Sequence, residues 1–160
     1  MKKQIHRRSY QRVEPKYDYM KYWRTVRKYI MVRYDLKEPQ LEMLMFLYSE
    51  HLFTYYKFKE HANLFGLDRH MFKDLKERKF IHMFRDKVGN EHRLYEITLQ
   101  GRRMITEMYK KLNMEEEISE VPKNNPVFNR LQYSHKVLAL AIRKFNEEVR
   151  KKKGYKVTEY

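Results

Sequence analysis

The sequence predicts a mainly α-helical fold with one small antiparallel β-hairpin. Three observations carry that expectation. Apolar residues recur at three- and four-residue spacing over most of the stretch from Asp18 to Lys152. One segment, Phe80 to Ile97, breaks this period and holds two short strand-like runs around a Gly89-Asn90 turn signal. Boundary residues fall where helices of ordinary length should start and stop, with Pro39, Thr54, Asp68 and Thr98 at starts and Gly66 at a stop.

Taken in order, residues 1–16 are polar and basic without a clear period, and are expected to form a flexible arm. A first helix is predicted from Asp18 to Tyr34, with Trp23, Val26, Ile30 and Met31 on its apolar stripe. Pro39 suits the first turn of a second helix that ends near Ser49, with Leu41, Leu44 and Met45 inward. Thr54 is a suitable N-cap for a third helix running to Phe65, and Gly66 is its natural stop. Asp68 is expected to cap a fourth helix to about Lys79. Its Met71, Phe72 and Leu75 point inward, while Arg69, His70, Lys73 and Lys76 share the other side. Two strands follow, Phe80–Arg85 and Arg93–Ile97. Thr98 caps a fifth helix with Met104, Ile105, Met108, Tyr109 and Leu112 buried. Pro122, Asn124, Asn125 and Pro126 mark a break before a last helix from Gln132 to Lys152, with Val137, Leu138, Ala141, Ile142, Phe145 and Val149 as its seam.

Composition narrows the function. The chain has 160 residues, a net charge of +15 and 42% hydrophobic residues, enough for a packed core and a polyanion-attracting surface. The basic excess is concentrated: +5 over residues 1–16, +4 over 143–160, and +4 (eight bases, four acids) from Arg69 to Arg93. The absence of cysteine excludes disulfides, thiolate metal sites and a cysteine nucleophile. No apolar run approaches the roughly 20 residues of a membrane helix, and the start of the chain lacks the apolar stretch of a signal peptide. The seven histidines are dispersed, with no HExxH or other recognisable zinc spacing, and no phosphate-cradling glycine loop or serine elbow is present. Glu115, Glu116 and Glu117 fan out on adjacent positions rather than converge. The reading is therefore of a protein that is not an enzyme and requires no metal or cofactor.

The element order, together with three local phrases, resembles the MarR family of bacterial winged-helix regulators. Pro39-Gln40-Leu41 is similar to that family's entry to its second helix. Leu75-Lys76-Glu77-Arg78-Lys79-Phe80-Ile81 resembles the end of a recognition helix leading into the first wing strand. Tyr95-Glu96-Ile97-Thr98-Leu99-Gln100-Gly101 resembles the strand that closes the wing. The likeness covers about residues 18–150 by element order and 36–112 by phrase. Two departures stand out. Lys79 occupies the place of the usual glycine before the wing, and Asn90-Glu91-His92-Arg93 replaces an Asp-x-Arg-Arg phrase, so that only Arg93 carries over.

The resemblance implies a winged helix-turn-helix domain with N- and C-terminal dimerisation helices. Residues 17–152 would form it, around a winged core of about 36–112, with a basic arm before it and a tail at 153–160. It implies a sequence-specific regulator bound to double-stranded DNA in the cytoplasm of a bacterial or phage-infected cell, associated with the nucleoid. Arg69, His70 and Lys73 would face base edges, Arg being able to bond guanine O6 and N7 together. Lys76, with Thr54, Tyr55 and Tyr56 at the start of the preceding helix, would meet phosphates. Arg85, Lys87, Asn90, His92 and Arg93 would set the wing on the flanking groove or backbone. Trp23, Ile30, Leu138 and Phe145 are the expected contacts of a homodimer. Members of that family often sense small aromatic or oxidant molecules, and a small-molecule effector is the corresponding expectation here, thiol sensing being excluded. Two other readings stay open: an architectural, replication or virion-associated DNA-coating protein, and a winged-helix module that docks a protein partner.

Overall fold

The structure, a computed structural model, describes residues 19–68, 70–129 and 132–154. The arm expected at residues 1–16, Arg69 and most of the tail lie outside them. Six α-helices and a three-stranded antiparallel sheet account for the regular structure of the described residues. Helix α1 spans Met20–Tyr34 and α2 Glu38–Glu50, with Pro39 in its first turn, where a missing N–H costs nothing. Strand β1 is the dipeptide Leu52–Phe53. Helix α3, Tyr55–Leu64, starts at the expected cap, the Thr54 hydroxyl accepting from the Lys57 N–H at 3.2 Å. Helix α4 is Met71–Glu77, β2 Ile81–Arg85, β3 Leu94–Ile97 and α5 Leu99–Leu112. A 3-10 turn at Pro126–Asn129 precedes α6, Tyr133–Lys152.

Three helices end in the same hydrogen-bonded motif, in which the two residues past the cap donate back to the last turn. Gly66 does this after α3 with φ +62°, Lys79 after α4 with φ +60°, and Met114 after α5 with φ +60°. Lys79 thus adopts the left-handed backbone that favours glycine.

The sheet order is β1-β3-β2, with Phe53 opposite Tyr95 and Tyr95 opposite Met83. The helix pair α3–α4 lies between β1 and β2 in the chain, so the sheet gathers the ends of that pair. The expected α4 is shorter than the sequence reading. Asp68 does not cap the helix itself; its carboxylate accepts from the His70 N–H at 2.8 Å, and the helix begins at Met71. Strand β1 is absent from the sequence reading because two residues are too few to show a period.

One continuous core joins all these elements, including Tyr29, Leu44, Phe58, Leu75, Phe80 and Ile105. Helix α1 packs on both α5 and α6. This corrects three of the four expected dimer contacts, Trp23 being the exception. Ile30 and Phe145 are wholly buried, Leu138 nearly so, and Trp23 is half-buried, all within a single chain. The reason lies in the segment between α5 and α6. It folds back over the helices and buries Ile118, Val127 and Phe128, which cover the seams that the sequence leaves unpartnered. Asn146 on α6 holds this strap. Its side chain accepts from the Ile118 N–H and donates to the Ile118 carbonyl, both at 2.8 Å, and donates to Glu120 at 2.8 Å. Val137 and Tyr109, expected on buried seams, are exposed.

A second polar hub ties α1 to α5. Glu107 accepts from the Tyr29 hydroxyl at 3.0 Å, the Tyr34 hydroxyl at 2.8 Å and Arg33 at 3.0 Å, and lies 3.5 Å from the buried Lys111 ammonium. Burial, together with the Glu107 charge, pushes Tyr34 up to about 12 and Tyr29 further; burial pulls Lys111 down.

Candidate nucleic-acid interface

The start of α3 and the β2–β3 hairpin border one open cavity of about 450 Å³, lined by Tyr55, Tyr56, Lys87, His92, Arg93 and Tyr95. The first N–H groups of α3 have no partners within the helix, so this wall carries partial positive charge. Tyr56 meets the His92 ring with centroids 4.8 Å apart, while Tyr55 packs edge-on against Phe72 of α4 at 5.0 Å. The phenols are thereby held by the hairpin on one side and α4 on the other. Tyr55, Tyr56, Lys87, His92 and Arg93 thus share one hollow, with Thr54 beside it as the cap of α3. Asn90 lies exposed at the tip.

The hairpin is less free in its charge than its composition implies. Arg85 pairs with Glu91 at 2.6 Å and Arg93 with Asp86 at 2.7 Å. The Arg93 guanidinium and the Lys87 N–H hold the Asp86 carboxyl below its usual range. Lys87 is the hairpin cation without an acidic partner among the described residues. The tip bends because the strand register shifts between Met83 and Arg85.

Helix α4 presents His70, Lys73 and Lys76 to solvent, with Met71 and Leu75 buried against the core. Lys73 lies 3.7 Å from Glu77 one turn on, and α4 itself carries two lysines against Asp74 and Glu77, so it is neutral overall. The bases that make this region cationic flank the helix, Arg69 before it in the sequence and Arg78 and Lys79 after it.

Sequence reasoning missed the residues that aim α4. Arg78 turns inward, donating to the Tyr34 carbonyl at 2.9 Å and the Asp35 carbonyl at 2.6 Å, with its guanidinium 5.6 Å from the Phe80 ring. Gln40, buried at the start of α2, donates to Asp74 on α4 and accepts from the Lys37 N–H at 2.8 Å. Periodicity carries no signal for either, since both contacts span more than thirty residues. On the outer face of the sheet, Glu96 bridges His82 at 2.7 Å and Arg102, and the His82 hydrogen bond lowers the Glu96 carboxyl.

Comparison with protein-family models, with curated proteins and with solved structures finds no match for this chain. No helix among the described residues is long and apolar enough to cross a membrane.

Proposed function

We propose that this protein binds double-stranded DNA as a winged helix-turn-helix regulator of MarR-like type. Helix α4 enters the major groove, the α3 start takes a backbone phosphate, and the β2–β3 hairpin lies along the flanking backbone. The observation that carries the reading is the convergence of Tyr55, Tyr56, Lys87, His92 and Arg93 on one cavity beside α4. A phosphate seated there meets helix N–H groups, phenol hydroxyls and two cations together. The sheet order β1-β3-β2, with two helices inserted between β1 and β2, supports it by placing hairpin and helix on a common frame.

One observation favours a second reading. The neutrality of α4 and its Lys73–Glu77 pair weaken base reading relative to backbone contact, as in an architectural protein with little sequence preference. Selection of bound sequences from a random duplex pool separates the two: enrichment of a defined motif supports the regulator, and uniform recovery the architectural protein. If each chain neutralises about four phosphates, affinity falls with a log–log salt slope near −3.6 per chain. Failure to retard any duplex at low salt removes both readings and leaves a protein-docking module. A homodimer remains part of the regulator reading, though through surfaces other than Ile30, Leu138 and Phe145. Sedimentation at micromolar concentration tests it.

A further inference from the structure

The cavity at the start of α3 carries more aromatic surface than a backbone phosphate uses. Tyr56 is 63% and Tyr55 43% exposed, and both line it from the first turn of α3. Neither ring hangs loose. Tyr55 is met edge-on by Phe72 of α4, and Phe72 is fixed in turn by edge contacts with the buried Phe58 and Tyr95, each at 5.0 Å. A chain of rings therefore runs from the core to the cavity wall. Tyr56 is steadied from the hairpin side by His92, with the two planes 57° apart. No acidic residue lines the cavity. Lys87 has no acidic partner among the described residues, and Arg93 is engaged by Asp86 outside the lining.

A phosphate is satisfied by N–H groups, hydroxyls and an ammonium; the faces of the phenol rings add nothing to it. A paired base inside a duplex cannot use those faces either, because neighbouring base pairs cover both of its own. Ring faces are matched by bases that are unpaired and unstacked. We infer that this cavity takes an unpaired nucleotide of single-stranded DNA, an assignment that rests on the nucleic-acid reading of the same cavity and adds strandedness to it. The base stacks on the open face of Tyr56, and the adjoining phosphate meets Lys87 and the free N–H groups of α3. Stacking of this kind tolerates any base, since each has a π-face. A duplex meets the cavity in this way at a frayed end or a locally melted step.

The full chain is titrated into three labelled probes, followed by fluorescence anisotropy at one fixed salt concentration. They are an oligothymidylate of about twelve nucleotides, an abasic strand of the same length and charge, and a blunt duplex of the same length. The oligothymidylate is expected to bind at least about tenfold more tightly than the abasic strand. Tyr56→Ala, at an exposed position, is expected to weaken the oligothymidylate about tenfold, whereas Tyr56→Phe, which keeps the ring and loses the hydroxyl, stays within about twofold of the native chain. Urea midpoints of both variants check that the fold is retained. Equal affinity for the oligothymidylate and the abasic strand overturns the assignment, and so do equal losses in the Ala and Phe variants. A duplex that still binds in that case leaves the duplex reading standing. Tyr56-dependent binding of the oligothymidylate without binding of the duplex has the reverse meaning, and failure of all three probes to bind removes both.

Discussion

The hairpin makes a prediction that runs against simple charge counting. Two acids, Asp86 and Glu91, occupy two of its three cations, at 2.7 Å from Arg93 and 2.6 Å from Arg85. For either arginine to meet a phosphate it must leave or share its carboxylate, and that carboxylate then lies within a few ångströms of a like-charged DNA backbone. Asp86→Asn and Glu91→Gln preserve side-chain size, remove the competitor and free a donor that is already in place. Because exposed pairs are weak and salt-screened, each change should tighten duplex binding about three- to fivefold at low salt, and the pair together roughly tenfold or more. The salt dependence should steepen by about one unit of log–log slope for each arginine that gains a phosphate. Fluorescence anisotropy with a labelled duplex between about 50 and 200 mM salt measures both quantities. Lys87→Ala is the matched control: it should weaken binding and reduce the slope by about one. If Asp86→Asn and Glu91→Gln leave affinity and slope unchanged while folding normally, the hairpin does not lie on the backbone.

Further outcomes concern the scaffold. Asn146→Leu deprives the Ile118 N–H and carbonyl of their partners and should cost about 3 kcal/mol, read as a lower urea midpoint with unchanged slope and a Tm lower by about 10 °C. Gly101→Ala would place a methyl 2.4 Å from Ile97 Cγ2 and 3.2 Å from the Phe80 carbonyl oxygen, and the overpacking should outweigh the gain in helix propensity, for a net loss of about 1 kcal/mol in the same assay. Lys79→Gly relieves a left-handed backbone and should raise stability by about 0.5–1 kcal/mol. Alkaline pH should weaken the fold. Tyr34 titrates near 12 and Tyr29 higher, so between pH 10 and 12 the unfolded phenols lose protons that the folded ones keep. Stability present below pH 10 is lost through that window, by about 1–3 kcal/mol for Tyr34. Lys111, pulled below its ordinary 10.5, acts oppositely, its contribution to stability rising with pH until about 10.5. Thermal melts at pH 8 and 11 test this, and Tyr34→Phe should lessen the difference.

Much of the architecture was legible because its signals are local. Thr54 and Thr98 cap where their hydroxyls can reach the N–H three residues on, and Gly66 stops a helix because left-handed backbone suits it. Other helix ends do without glycine, and the end of the first helix at Tyr34 was read from its period instead. With only four in the chain, Asp35, Lys79 and Met114 take left-handed conformations at helix ends, and none of these types announces a stop. Three of the expected dimer contacts, Ile30, Leu138 and Phe145, failed for a different reason. A long apolar seam shows that something covers α1 and α6, but not whether the cover is another chain or the polar-looking segment that hides Ile118, Val127 and Phe128. For the candidate site, residue type indicated cations on the hairpin, while their pairing with Asp86 and Glu91 depends on a turn that brings positions six and seven apart face to face.

Arg78 has a mechanical consequence. It stands at the C-terminal end of α4, yet its donors grip the two carbonyls at the corner where α1 gives way to α2. Gln40 makes a second tether from the other side of that corner. Anchored at both points, α4 cannot swivel independently; any tilt must drag the corner and the start of α2 with it. Adjustment to a partner is therefore stiff at α4 and left to the hairpin, whose ion pairs are exposed and easily exchanged.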